Sequence, residues 1–213
     1  MAISLNKKTG INLKKGSSIS LEKEGNQLRE VCIGLNWGMI EKKAFFGLFD
    51  EKEKVDLDAS AALFDQNGEA LDVVYFNKLK SDDLAIIHSG DDRSGDEGGD
   101  DGFDNEVIQV KLSDIDSKVS RIFFFLNSYE GHDFADIPYS KIRIFEGNSH
   151  EVRDVLATFD LSADISYKGY VSMLMGVLDR DVKGWKFTTL GNPVETKRVE
   201  DTVNHIKGKF FRK

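Results

Sequence analysis

Val31-Cys32-Ile33-Gly34-Leu35-Asn36-Trp37 carries a large apolar side chain at every second position, with small or polar residues between. Period 2 marks a strand with one face in a core. The alternation returns outward along the chain at Leu57, Ala59, Ala61 and Leu63, and again at Ile108, Val110 and Leu112. Ile122 to Leu126 is different: Phe123 and Phe125 fill the gaps between Ile122, Phe124 and Leu126, which predicts a strand buried on both faces. Further strands are expected around residues 18–22, 71–76, 84–88, 139–145, 155–161, 170–178 and 185–190. Turn signals at Asn67-Gly68, Glu146-Gly147-Asn148 and Lys183-Gly184 separate several of them. Ten or more short strands predict an all-β fold, a β-sandwich of two packed antiparallel-rich sheets over residues 1–191. After Asn192-Pro193 the period changes. Val199, Val203, Ile206 and Phe210 recur at helical spacing, so residues 192–213 are expected to form an amphipathic helix on the same domain. Its basic end, KGKFFRK, reads as a solvated helix terminus.

The chain has 213 residues, 40% of them hydrophobic, enough for a substantial core. Its formal charge of −8 is unevenly placed. From Asp91 to Glu106, eight acids face Arg93 alone, so this segment carries −7 and the remainder only −1. Such acidity argues against non-specific nucleic-acid binding, which needs clustered cations to meet phosphates. The single cysteine, Cys32, cannot form an internal disulfide. No apolar run suits a signal-peptide core or a membrane span. A soluble cytoplasmic protein without membrane insertion is expected.

Two readings compete for DDRSGDEGGDDGFDNE (91–106). One is a solvated acidic loop, because like charges repel and glycine adds backbone freedom. The other is a site for a hard divalent cation, since Ca²⁺ takes six to eight oxygens from carboxylates, carbonyls and water. Paired acids separated by small residues let the backbone fold tightly and favour the second. The spacing is not that of an EF-hand: a start at Asp91 puts Arg93 at position 3, and a start at Asp96 puts Gly98 there. Tandem calcium nonapeptides are absent as well. Within VDLDAS (55–60), Asp56 and Asp58 are two apart on an expected strand. They would project from one face roughly 6.6 Å apart, with Leu57 and Ala59 on the other. Two such carboxylates repel, and a cation would relieve them.

The sequence contains no G-x-S-x-G, P-loop, G-x-G-x-x-G or H-E-x-x-H motif. The four histidines are scattered; His88 is expected to make a strand-end hydrogen bond, with orientation of a carboxylate as the other option. His132-Asp133 is a polar loop. Cys32, in an expected core strand, reads as a small buried hydrophobe. Paired carboxylates keep a metal-assisted hydrolase as a minor alternative.

VDLDAS, YFNKLKS (75–81), HSGDDRSGDEGGDD (88–101) and GWKFTTLG (184–191), in that order, resemble the TerD family of bacterial tellurium-resistance and chemical-stress proteins. VCIGLNW and ATFDLSAD add support, and the resemblance runs from about Ile3 to Gly191. It implies a cytoplasmic β-sandwich binding one or two Ca²⁺ ions. Its implied partners are other products of a tellurite- or stress-resistance operon, with recruitment to a membrane-associated complex as one form. Carried over by position, the implied ligands are Asp56, Asp58, Asn77, Asp91, Asp92, Asp96, Asp100 and Asp101. The chain departs from the family where Asp92 replaces an asparagine and Gly98, beside Glu97, replaces an acid. The closing acid is displaced by GFDN, leaving Asp104 or Glu106; Glu106 completes the expected set. The functional expectation is a non-enzymatic Ca²⁺-binding module acting through protein–protein interaction. An acidic interaction protein without a specific metal is the alternative.

Overall fold

The computed structural model describes residues 10–43, 50–97 and 99–211. Gly98, the start of the family resemblance before residue 10, part of the connection after Trp37, and Arg212 and Lys213 lie outside them.

The alternation quoted above becomes β5 (Val31–Trp37), the fourth of six strands in one sheet. Its neighbours, in the order β1-β14-β13-β5-β11-β10, are β1 (Ile11–Asn12), β14 (Glu151–Ser162), β13 (Tyr139–Asn148), β11 (Glu106–Val110) and β10 (Ile86–His88). The second sheet runs β2 (Ser18–Ser20), β16 (Gly184–Val194), β15 (Ser172–Asp181), β12 (Arg121–Ser128), β8 (Leu57–Phe64) and β9 (Ala70–Val74). Pairing is antiparallel throughout both sheets except between β1 and β14. Two small hairpins, β3 (Glu22–Lys23) with β4 (Asn26–Gln27) and β6 (Ile40–Lys43) with β7 (Asp50–Glu53), complete the strands. The fold class read from the sequence is the one observed.

The sheets meet on the faces that the alternation selects. Val31, Ile33, Leu35 and Trp37 share one core with Leu57, Ala59, Ala61 and Leu63 of the other sheet, where Ile122, Phe124 and Leu126 of the adjacent strand lie beside them. The odd-numbered phenylalanines of β12 point the other way. Phe123 and Phe125, with Phe64 and Ala62 of β8, form a second apolar layer under α1 (Val199–Phe210), which contributes Val203 and Ile206. β12 is therefore buried on both faces, and one sheet is covered twice.

Two local expectations shift, and a stretch where no strand was expected gains a hairpin. Glu146-Gly147-Asn148 is not a turn: β13 continues to Asn148, and Gly147 sits at an irregularity in its register with β14. A Cβ there would collide with the Glu151 carbonyl, so this glycine serves a bulge and the turn follows at Ser149-His150. Asn192-Pro193 does not end the sheet either. β16 runs to Val194, and Pro193 is tolerated because β2 pairs only with Lys186–Thr188 on the other side. The connection after Trp37 carries the β6–β7 hairpin, whose alternating Lys and Glu gave no apolar period to read.

Candidate metal centre

β8 begins at Leu57, so Asp56 stands just before the strand and Asp58 is its second residue. Leu57 and Ala59 anchor the inner face, which turns both carboxylates outward. There they meet Asp91 at the start of the acidic loop. One oxygen from each of Asp56, Asp58 and Asp91 lies within 4.8 Å of the other two. Lys54, Phe76, Arg93, Tyr129 and Glu130 complete the walls of this cavity of about 330 Å³. Arg93 is drawn aside: its Nε donates to Asp91 Oδ2 at 2.9 Å while its own side chain is largely exposed.

The electrostatics are unfavourable without a cation. Burial, reinforced by the charges of Glu106, Asp56 and Asp91, pushes the Asp58 carboxyl up to about 7. Burial, then Asp91 and Glu130, pushes Asp56 up to about 6. Asp56 Oδ1 is buried with no hydrogen-bond donor among the described residues. Hard oxygen donors that are crowded, desolvated and short of partners fit a Ca²⁺ ion.

A second trio, Asp96, Asp100 and Asp101, also brings one oxygen each within 4.8 Å. Its carboxylates are already engaged. Asp96 accepts from Asn36 Nδ2 (3.0 Å), Asn105 Nδ2 (3.1 Å) and the Tyr139 hydroxyl (2.8 Å). Asp100 accepts from Lys141 Nζ at 2.5 Å, and against partial desolvation this contact and the Gly102 amide hold it below the usual carboxylate range. Asp101 accepts from the Phe103 amide. This trio is a folded salt-bridge network in which a cation would have to compete with Lys141.

Of the remaining expected ligands, Asp92 and Glu106 accept hydrogen bonds from within the protein. Asp92 Oδ1 accepts from the Ser94 amide and hydroxyl and the Gly95 amide, folding the loop on itself. Asn77 is exposed in the turn between Tyr75 and Lys78, while its neighbour Phe76 lines the cavity. Glu106 is fully buried: Oε1 accepts from the Asp92 amide, and Oε2 from the Ala59 amide at 2.8 Å and His88 Nε2 at 3.2 Å. His88 Nδ1 accepts from the Gly90 amide, so Nε2 carries the proton and also faces the Ala59 carbonyl at 3.1 Å. His88 thus makes the expected backbone contact and orients a carboxylate too. Together the two side chains satisfy Ala59 where β9 has stopped pairing, which begins only at Ala61. Burial raises the Glu106 carboxyl, and the His88 contact opposes it.

Asp104, the other candidate closing acid, is paired with Arg143 (Nη2–Oδ2 2.8 Å) with only 2% of its side chain exposed. It occupies the space over Gly34, where a Cβ would overlap its carboxylate. Sequence reasoning missed this clasp. Tyr139, Lys141 and Arg143 stand two apart on the outer face of β13 and hold Asp96, Asp100 and Asp104, four apart on the loop. The visible signal was the polar alternation of β13 between Ser140, Ile142 and Ile144, all buried. Cys32 is buried, its thiol pushed up to about 12 chiefly by that burial, which suits a structural role.

The family model for the TerD domain matches residues 9–205. Tellurium resistance protein TerZ of Serratia marcescens is 33% identical over 95% of this chain and 100% of its own length. Tellurium resistance protein TerD of Alcaligenes sp is 32% identical over 85% of the chain and 89% of the relative. Stress response protein SCP2 of Bacillus subtilis is 29% identical over 91% and 98%. Among solved structures, a homologue of telluride resistance protein (TerD) from Streptomyces coelicolor superposes with a TM-score of 0.61. It shares 18% identity and covers 87% of this chain and 98% of its own, a likeness of fold.

Proposed function

The chain belongs to the TerD domain family, and on that premise we propose that it is a non-enzymatic Ca²⁺-binding module of a bacterial tellurium-resistance and stress-response system. The observation that carries the proposal is the Asp56–Asp58–Asp91 trio, with two carboxyls pushed upward and one buried oxygen lacking a donor. An ion there would replace mutual repulsion by attraction, and its binding free energy would add to folding stability. The Asp96–Asp100–Asp101 trio is the second, weaker position, because Lys141 must give way. The module works in the cytoplasm by presenting a calcium-stabilised surface to proteins of the same resistance system. Among the described residues no helix is long and apolar enough to cross a membrane.

The test is calorimetric titration of chelator-stripped protein with Ca²⁺ in excess Mg²⁺. Micromolar or tighter binding of one or two ions, lost in Asp56→Ala with Asp58→Ala, supports the proposal. Equal weak binding of both ions would leave the acidic face as a partner surface. Complexes would then weaken steeply with salt and ignore chelator.

A further inference from the structure

Behind the metal centre lies a second cavity of about 670 Å³, between the outer face of the β8–β12 sheet and the start of α1. It shares Asp58, Phe76 and Tyr129 with the acidic cavity but is otherwise built differently. Its walls are mostly apolar, from Val73, Tyr75, Val199 and Val203. Tyr75 and Phe76 meet edge to face at 5.4 Å, and Phe76 and Tyr129 at 6.2 Å, so the aromatic side is a continuous set of rings. Tyr129 is 68% exposed, a large ring held at the mouth with little of it covered.

The polar groups of this cavity are unpaired in a particular way. Asn127 lies 2% exposed across from Asp58 in the strand register, and it lines the cavity. Its Nδ2 donates to Thr202 Oγ1 at 3.0 Å and to Ser172 Oγ, yet its Oδ1 has no donor among the described residues. A buried acceptor left open is costly unless something supplies an N–H or O–H. Asp58 beside it favours a positively charged donor over a neutral one. The rim carries the opposite sign as well. Lys197 and Arg198 line it, are exposed, and form no ion pair with any described residue. Arg198 occupies the N-cap of α1 without a side-chain cap, so the first amides of that helix are also open to an anion. Glu200 stands on the same rim, which rules against a simple anion site.

We propose that this cavity binds a small amino-carboxylate with an apolar or aromatic body, of the size of a free apolar amino acid or a dipeptide. The ammonium group donates to Asp58 and, with a small turn of the buried Asn127 amide toward the cavity, to Asn127 Oδ1. The carboxylate meets Lys197, Arg198 and the start of α1, and the body lies among Phe76, Tyr129, Val73 and Val203. The volume is that of a small-ligand pocket. The site does not need the ion, so it is tested with chelator present, which keeps its outcome separate from that of the calcium reading.

The experiment is titration by calorimetry and ligand-observed NMR with L-phenylalanine and L-leucyl-L-phenylalanine. The controls are 2-phenylethylamine, which keeps only the ammonium, and 3-phenylpropionate, which keeps only the carboxylate. At least one zwitterion is expected to bind about tenfold or more tightly than either control. Arg198→Ala and Tyr129→Ala, both exposed side chains, should each weaken it severalfold at unchanged melting temperature, while Val182→Ser, exposed at the end of β15 away from Asn127, should not. No binding of either zwitterion, controls that bind as tightly, or an unaffected Arg198→Ala would each overturn the proposal.

Discussion

Asp58 is the residue on which the chemistry of this face turns, because it borders both cavities and has little water to screen it. Its carboxyl and that of Asp56 sit above their ordinary range in the folded chain, so between about pH 4 and 7 the native state holds more protons than the unfolded one. Their contribution therefore turns increasingly unfavourable as pH rises through that window, and the full cost is present above it. Metal-free protein should lose melting temperature from pH 5 to pH 8, and Asp56→Asn with Asp58→Asn should flatten that decline. Parallel melting profiles for the two proteins would refute the assignment. Protons also compete with a cation for the same oxygens, so Ca²⁺ affinity should fall by tenfold or more between pH 7.5 and 5.5. That Asp56 and Asp58 share a face was legible from period 2. That Asp92 spends its oxygen on its own loop was not, because an Asx turn and a metal ligand use the same residue types.

At the level of elements, β13 is the part that orders the acidic loop. Its inward isoleucines were readable from alternation, and so was the strand itself. Its outward Tyr139, Lys141 and Arg143 were present in the same alternation, but a strand pattern reports which way a side chain points, not which distant segment docks on it. The contacts span 39 to 43 residues, beyond the reach of any local signal. The Arg143–Asp104 pair is the buried end of the clasp. Arg143→Ala would leave the Asp104 carboxylate enclosed without a cation, and a loss of about 3–5 kcal/mol in urea unfolding is expected. Lys141→Ala removes a partly exposed pair and should cost no more than about 1 kcal/mol. Similar losses for the two would mean that burial does not grade the clasp.

Over the described residues the molecule is two large sheets and a helix in three layers, and the sequence announced the third layer through the phenylalanines of β12. Phe64, Phe123 and Phe125 are covered by α1 and by Phe211, which follows it. At about 1.5–3 kcal/mol for each large side chain exposed, a chain ending at Thr196 would forfeit much of what a domain of this size has to spare. Such a truncation is expected to lose its cooperative unfolding transition by calorimetry; a sharp transition near that of the full chain would show the sandwich to be self-sufficient. The limits on this chain's variation also follow from its clasp. Surface loops ordinarily accept added and missing residues, but here a loop spaced by fours is matched to a strand spaced by twos, like two rulers with different graduations. One glycine inserted between Asp100 and Asp104 would slide every later acid off its mark. Substitutions at exposed positions of residues 91–106, such as Glu97 or Phe103, should be absorbed one at a time, whereas changes in the loop's length should not. The acidic segment that looks most like free linker is in this sense a part of fixed gauge.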